Sequence, residues 1–355
     1  MNQTEKTYNL LLKHYQSYPQ LQMQDIFKFI HQSAFGCEHM VSSLDAATDY
    51  IRAEYETADL SDTPLVVPLD GAYSRVYLNY LDNGLSAQTL GKLFYLSAKA
   101  ETNGKADAEN KLSVAAELVR QGKLPFSAEA FEEAAEKWKA DGYPAVHHSD
   151  IFRNTYKPAY RVIANKFVPF LPLLAKLDQM LASGTVNLAI EGGSASGKST
   201  LSTLLETLYG CTVLHMDDFF LRPEQRTPER YKEVGGNIDY ERFSEEVLLP
   251  LGKREPISYR KFDCSTQTLS APCTALPEKL TIIEGVYSMH PKFENYYNLS
   301  VFLDITPALQ TARISRRNTP ALAERFHNTW IPLENRYFEE TQIQRRCSIT
   351  VSVQE

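Results

Sequence analysis

Tryptophan and cysteine are scarce in this 355-residue chain, and no apolar run approaches the length of a membrane span. The five cysteines (Cys37, Cys211, Cys264, Cys273, Cys347) are odd in number and show no Cys-x-x-Cys spacing. That argues against a zinc site or disulfide frame and predicts reduced thiols, as in the cytoplasm. There is no excess of positive charge: 37 basic against 44 acidic side chains give a net charge of −7. Such a balance speaks against a nucleic-acid protein driven by phosphate neutralisation, although it leaves room for a local basic patch. The polar start, Met1-Asn-Gln-Thr-Glu-Lys6, lacks a hydrophobic signal core, so the expectation is a soluble cytoplasmic protein with no membrane partner. Internal repeats and low-complexity tracts are missing too. What remains is ordinary for a globular chain, 43% hydrophobic and 23% charged, with a length that predicts two domains.

One stretch stands out from that background, Val186-Asn-Leu-Ala-Ile-Glu-Gly-Gly-Ser-Ala-Ser-Gly-Lys-Ser-Thr200. Val186, Leu188 and Ile190 read as a strand, and Leu201, Leu204, Leu205 and Leu208 recur at helical spacing. Between them, Gly192, Gly193, Ser194, Ala195, Ser196, Gly197, Lys198, Ser199 and Thr200 carry the phosphate-binding loop pattern G-x-x-x-x-G-K-S in its proper context. Glycines let backbone N–H groups wrap an anion, and the helix N-terminus adds partial positive charge. Lys198 supplies a mobile full charge for the outer phosphates, and the Ser199 hydroxyl suits Mg²⁺.

The residues before this loop read as mainly helical. Apolar stripes run through Tyr8/Leu11/Leu12/Tyr15, Ile26/Phe29/Ile30, Leu44/Ala47/Ile51/Tyr55, Leu90/Leu93/Phe94, Leu112/Ala115/Ala116/Val119 and Phe131/Ala134/Ala135/Trp138. Between residues 64 and 80 the period falls to two about a turn at Asp70-Gly71, which predicts a small β-hairpin. Several polar residues exceed the needs of a plain scaffold: Glu38, His39, Arg75, His148 and Arg161. They can be gathered into a ligand pocket, or they can be helix caps and surface ion pairs; no His pair at i and i+4 points to a metal. Phe170, Leu173, Leu174, Leu177 and Leu181 predict an amphipathic helix joining the halves. The expected organisation is an α-rich domain over 1–168, a connecting helix over 169–184 and a phosphate-loop domain over 185–355.

Beyond the loop, Cys211 to Met216 reads as a strand ending in Asp217-Asp218, and Leu280 to Ile283 as a buried strand ending in Glu284, a Walker B-like arrangement. In a doubly wound parallel sheet, ligands bind at the carboxyl ends of strands. Acids there suit metal coordination and proton abstraction from a hydroxyl, or else simply open a loop. A helix is expected from Glu241 to Leu251, a strand over Pro256 to Asp263 and another over Leu299 to Ile305. The helix after Pro307 groups Arg313, Arg316 and Arg317 at i, i+3 and i+4, fit for transferring phosphate charge or for a solvated face. Residues 319–340 read as a lid, and Cys347 to Val353 as a last strand.

In order and spacing, several segments after residue 185 resemble the uridine kinase, phosphoribulokinase and pantothenate kinase group of phosphate-loop kinases. They are Gly192 to Ser199, Met-Asp-Asp-Phe-Phe at 216–220, Asn-Ile-Asp at 237–239, Pro-Ile-Ser-Tyr at 256–259, Ile-Ile-Glu-Gly-Val at 282–286 and Thr-Ala-Arg-Ile-Ser-Arg-Arg at 311–317. The resemblance covers about half the chain. It implies an α/β fold of the phosphate-loop NTPase type, with a doubly wound, mainly parallel sheet. It also implies Asp217 as catalytic carboxylate, Glu284 as a magnesium-associated acid, Arg313, Arg316 and Arg317 as lid arginines, and Tyr259 against the acceptor. Departures at Asp218 and Phe220, where uridine kinases carry Ser and Tyr, and in the segments after Tyr259 and around Trp330, put uridine itself in doubt. The expectation is an ATP- and Mg²⁺-dependent kinase of a small metabolite, with Ser199, Asp217 and Glu284 about the metal, and Asp217, Tyr259, Arg161 and His39 toward the acceptor. Oligomeric state is left open. Two rivals stand beside it: a nucleotide-dependent switch whose first half binds a partner, and a bifunctional enzyme with a second activity there. No Asn-Lys-x-Asp guanine signature follows the loop.

Overall fold

The computed structural model describes residues 2–37, 43–61, 63–98, 104–293 and 295–354. They fall into two compact units, Met1–Asp178 and Gln179–Glu355. No helix among the described residues is long and apolar enough to cross a membrane.

The first unit runs α1 (Gln3–Ser17), α2 (Met23–Phe35), α3 (Leu44–Thr57), β1 (Val66–Pro68), β2 (Tyr73–Tyr77), α4 (Ala87–Ala98), α5 (Gly104–Arg120), α6 (Ala128–Ala140), α7 (Asp150–Tyr156), β3 (Tyr160–Ala164) and α8 (Leu171–Ser183). The hairpin forms as the period-two pattern predicts, with Val66 opposite Val76 and Pro68 opposite Ser74. Asp70 and Gly71 take φ of 80° and 65° in its turn, a conformation those two residue types tolerate best. The structure adds a third strand: β3 pairs antiparallel with β2, Tyr73 opposite Ala164 and Tyr77 opposite Tyr160. β2 therefore lies in the middle of its sheet, and all five of its residues are buried. The alternation expected as far as Tyr80 stops at Tyr77, where Leu78–Tyr80 tightens into a 3₁₀ turn.

Helix α2 is the centre of this unit, with every residue from Asp25 to Ala34 buried. Burial on all sides leaves its polar groups no water, so each needs a protein partner. Asp25 accepts from Ser149 N and Oγ at 3.0 and 2.7 Å and faces His148 Nδ1 at 2.9 Å. Lys28 donates to the Val146 carbonyl at 3.1 Å. Gln32 accepts twice from the Arg75 guanidinium, at 3.1 and 2.8 Å. At the other end of the unit, Asp178 of α8 accepts from Ser86 N at 2.7 Å and Thr89 Oγ1 at 2.9 Å.

The second unit opens with β4 (Val186–Gly192), α9 (Lys198–Tyr209) and β5 (Thr212–His215). Three short helices follow, α10 (Pro228–Lys232), α11 (Tyr240–Phe243) and α12 (Leu249–Lys253), then β6 (Ile257–Tyr259), β7 (Phe262–Asp263), β8 (Thr268–Leu269) and β9 (Cys273–Ala275). It closes with β10 (Leu280–Glu284), β11 (Leu299–Asp304), α13 (Pro307–Arg317), α14 (Pro320–Arg325), α15 (Ile331–Thr341), α16 (Ile343–Arg346) and β12 (Ile349–Ser352). The sheet has the order β12-β11-β4-β10-β5, and every pairing in it is parallel. This is the α/β, phosphate-loop type of sheet that the motifs imply. The chain leaves β4 toward one edge and later returns to its other side, which makes the carboxyl end of β4 the switch point where ligands bind.

Two expected elements differ in detail. The single strand read over Pro256 to Asp263 is two short ones, each with its own antiparallel partner, β6 with β9 and β7 with β8. The helix expected from Glu241 to Leu251 is interrupted by a π turn at Ser244–Leu248, and the lid by another at Phe326–Trp330. Each π turn comes just before a proline, Pro250 or Pro332, and widens the helix where a proline ring would collide with the carbonyl four residues back.

Candidate active site

Three strand ends converge at the switch point. β4 ends at Gly192, whose φ of 141° and close approach to the Leu303 carbonyl (2.6 Å from an added Cβ) exclude a side chain. Gly197 takes φ of 102° in open space, so there the backbone conformation alone requires glycine. Ala195 adopts φ of 61° between them, and Ser196 N closes the turn on the Gly193 carbonyl at 3.1 Å. The Lys198 amine folds back onto the carbonyls of Gly192 and Gly193, at 2.9 and 3.1 Å. Those contacts are local, and a nearby anion can replace them. Thr200 follows Ser199 in the first turn of α9.

The acids stand beside this loop. In the sheet register Glu284 of β10 lies level with Ile190 on one side and His215 of β5 on the other. Its Oε1 accepts from Ser199 Oγ at 3.0 Å and meets His215 Nδ1 at 2.6 Å. Burial pushes the Glu284 carboxyl up, but the His215 hydrogen bond, Lys198 and Ser199 outweigh it and hold it below the usual range. His215 is raised in turn, chiefly by the hydrogen bond with Glu284. Asp217 sits one 3₁₀ step beyond β5. Its side chain is open to solvent, yet the cleft surrounds it with protein, and this desolvation, with Glu284 and Asp218 adding like charge, raises its pKa against the pull of Lys198 and His215. Among the described residues no hydrogen-bond donor reaches its carboxylate. Asp218 differs: Lys261 Nζ stands 3.0 Å from its Oδ2.

Next to the acids is an aromatic wall. Phe219 stacks on Tyr259 with centroids 5.7 Å apart. The Arg242 guanidinium lies 4.2 Å over Phe219, held by Asp239 at 3.4 Å and by the Asp218 carbonyl at 3.0 Å. Arg222 approaches the same Asp239 oxygen at 3.5 Å.

Helices α13 and α15 also meet the loop. Arg313 donates to the Ala195 carbonyl at 3.1 Å, and Gln310 to the Ser194 carbonyl at 2.9 Å. Arg316 and Arg317 point along the exposed face of α13. Glu334 of α15 accepts from Ser194 N at 2.9 Å and from its hydroxyl at 2.5 Å, so a carboxylate occupies a loop amide. Burial raises its pKa despite those bonds. Beneath the loop, fully buried Glu191 accepts from Met289 N at 2.9 Å and Tyr337 Oη at 2.8 Å. Burial pushes Glu191 up to about 7 against these two bonds.

The structure thus brings together Gly192 to Ser199, Asp217, Glu284, Tyr259 and Arg313. Arg161 belongs to the first unit, where it pairs with Glu54 at 2.6 Å. His39 and Glu38 lie outside the described residues. Sequence reading missed His215, Glu191, Glu334 and the Asp239–Arg242 pair. His215 had a usable signal, as the residue ending the strand level with Glu284; Glu334 had none within its own segment.

Oxygen donors suit Mg²⁺, and Ser199 with the carboxylate it touches forms such a set. Among the described residues no group of three or more His, Cys, Asp or Glu side chains is arranged for a metal. A cation here would therefore take few protein ligands and fill its shell with phosphate oxygens and water, as Mg²⁺ in kinases does.

No family model matches the chain, and no curated protein does. Among solved structures it is similar to a possible uridine kinase from Bacillus stearothermophilus, at 20% identity and a TM-score of 0.38 over 50% of this chain and 98% of that one. A candidate fructose transport system kinase from Silicibacter sp. TM1040 is similar at 24% identity and a TM-score of 0.38, over 47% and 90%. Shikimate kinase from Bacteroides thetaiotaomicron is similar at 14% identity and a TM-score of 0.26, over 47% and 86%. At these values the likeness does not bear on activity, which rests on the geometry above.

Proposed function

We propose that the second unit is an ATP- and Mg²⁺-dependent kinase that phosphorylates a hydroxyl of a small metabolite. The observation that carries this reading is an uncapped carboxylate, Asp217, beside a complete phosphate loop at the carboxyl ends of adjacent parallel strands. In this reading the loop amides from Ala195 to Ser199 cradle the phosphates, and the Lys198 amine leaves its two carbonyls to follow the charge of the transferring group. Mg²⁺, held by Ser199 and Glu284 with Asp217 in reach, would draw charge from the phosphate oxygens. The acceptor lies against Tyr259 and Arg242, which Phe219 backs, and its hydroxyl gives its proton to Asp217 as the oxygen attacks and ADP departs. A raised pKa makes Asp217 a better base for that proton than an ordinary carboxylate. Arg313 fixes the loop through the Ala195 carbonyl, and Arg316 and Arg317 are available to a closing lid. We further propose residues 1–168 as a separate domain, with no nucleic-acid partner, in a protein of the cytoplasm.

The test is ADP release measured with and without a panel of nucleosides, sugars and hydroxy acids, in the wild type and in Asp217→Asn. Turnover should depend on one class of acceptor and fall by about 10²–10⁴ in the variant, with nucleotide affinity unchanged. ADP release indifferent to every acceptor would favour the nucleotide switch instead.

A further inference from the structure

The first unit holds a cavity of about 410 Å³ whose walls carry Lys28, Arg153, Lys157 and Arg161 against, among the described residues, a single acid, Glu54. Two of these cations are almost completely withdrawn from water. Arg161 is 5% exposed and Lys28 is 6% exposed. Arg161 spends one nitrogen, Nη1, on Glu54 and on the Tyr160 carbonyl at 2.8 Å, while its buried Nη2 has no hydrogen-bond partner. Lys28 donates only to a carbonyl, that of Val146. Directly behind the wall, Arg75 is fully buried, and its hydrogen bonds go to the neutral Gln32, beneath the Tyr160 ring at 4.6 Å. Arg153 and Lys157 stand on the rim, more than half exposed, with their carboxylate neighbours Asp150 and Asp59 outside the cavity. Leaving positive charge buried without a counter-charge is costly, and a buried guanidinium nitrogen with no hydrogen-bond partner adds to that cost.

The uncharged lining includes the rings of Tyr50, Phe94 and Tyr160 beside small and aliphatic residues. Arg161 lies 4.9 Å from the Tyr50 ring and 5.8 Å from Phe94, and Tyr160 faces the same space. Of the two histidines in the wall, His147 is exposed, and His148 is not free to act as a base or nucleophile. His148 has Asp25 on Nδ1 at 2.9 Å and Tyr160 Oη on Nε2 at 2.7 Å, and its ring stacks on Phe152.

We propose that this cavity is a binding site for a small phosphomonoester with a flat or aromatic body, separate from the phosphate loop. Arg161 Nη2 and the Lys28 amine take the phosphoryl oxygens, and Arg153 and Lys157 screen the remaining charge at the mouth. The ring of the ligand lies against the exposed ring of Tyr50. A phosphomonoester fits better than a carboxylate because its three terminal oxygens can reach Arg161, Lys28 and a rim cation together, where a carboxylate has only two. Lys28 supports this: burial, with Arg75 nearby, lowers its pKa to about 8, so an anion beside it would restore its full charge.

The experiment is calorimetric titration of the full chain with phenyl phosphate, inorganic phosphate and benzoate. The wild type should bind phenyl phosphate at a site that survives in Lys198→Ala. Arg161→Gln should weaken that site roughly tenfold or more, the scale of a lost charge-assisted hydrogen bond. Because Arg161→Gln also strips Glu54 of its partner, the exposed pair Arg153→Ala/Lys157→Ala is measured beside it and should weaken binding several-fold with unfolding unchanged. Binding that vanishes in Lys198→Ala and persists in both first-unit variants would assign the anion to the phosphate loop and overturn the proposal. So would the absence of binding at millimolar phenyl phosphate, and benzoate binding as tightly as phenyl phosphate would overturn the phosphoryl assignment.

Discussion

Each unit sets a histidine against a carboxylate, and the surroundings drive the two rings in opposite directions. In the first unit His148 meets Asp25 among Arg75 and Lys28; burial and those cations lower its pKa to about 4 in spite of the carboxylate. In the second, His215 meets Glu284 beside Asp218, and its pKa is raised. The same two side chains thus belong to a cation-rich interior in one place and an acid-rich cleft in the other. The difference shows that burial, with the neighbouring cations, overrides the carboxylate contact at His148, whereas at His215 the contact with Glu284 prevails over burial.

The sharpest way to break this comparison is Lys198→Ala, which takes away the cation that the phosphate loop itself offers to a phosphoryl group. Acceptor-dependent turnover should fall by about 10²–10³. Steady-state assays at saturating ATP read this directly, and wild-type rates would remove the loop from the chemistry. A smaller effect of opposite sign is expected at Glu334→Gln. The carboxylate on the Ser194 amide repels an incoming terminal phosphate, whereas the amide keeps an acceptor for that N–H. A non-hydrolysable ATP analogue should bind about 3–10-fold tighter, and ADP less so, by calorimetry. Weaker binding would mean that the contact merely shapes the loop.

The next test works on the histidines. A folded pKa near 4 against an ordinary 6.5 means that, between those values, the unfolded chain holds a proton that the native first unit does not. Stability of that unit should therefore fall as pH drops from about 6.5 toward 4. His215 runs the other way: raised above its unfolded value, it contributes below pH 6.5 and ceases to as pH rises through its folded value. Asp25, lowered to about 2, gives way only below about pH 4. The two tryptophans lie one in each unit, Trp138 and Trp330. In Trp330→Phe protein, Trp138 fluorescence during urea unfolding follows the first unit alone. Adding His148→Gln should reduce that pH dependence, leaving the part due to His14, which burial also lowers, at a cost of about 1 kcal/mol at pH 7. The smallest expected effect is Asp218→Asn, which loses a contact with Lys261 but no proton acceptor, so turnover should change by less than about tenfold. If Asp218→Asn is inactive and Asp217→Asn active, the base is the neighbouring residue.

What could be read from the sequence follows the distance over which each feature is assembled. The phosphate loop, Asp217 and Glu284 are legible because consecutive residues carry both the chemistry and the strand that presents it. β3 is not: Tyr160 to Ala164 is a short segment after Pro158, and only pairing with β2 makes it a strand. Glu334 reaches Ser194 across 140 residues, and no periodicity within α15 announces that contact. Arg75 and Arg161 drew notice as surplus polar residues, but which wall each would occupy depended on α2 being buried on every side.

The order of strands in the second unit also sets a clock. β4, the strand that carries the loop, pairs with β10 and β11, so its first neighbour begins at Leu280. At ordinary rates of synthesis, about 5–20 residues per second, the apolar edges of β4 wait on the order of 5 to 20 s for a partner. During that interval the nascent segment from Val186 to Gly192 is an open template for another chain, and recovery of active protein should depend on chaperone capacity and translation speed more than on the stability of the finished sheet.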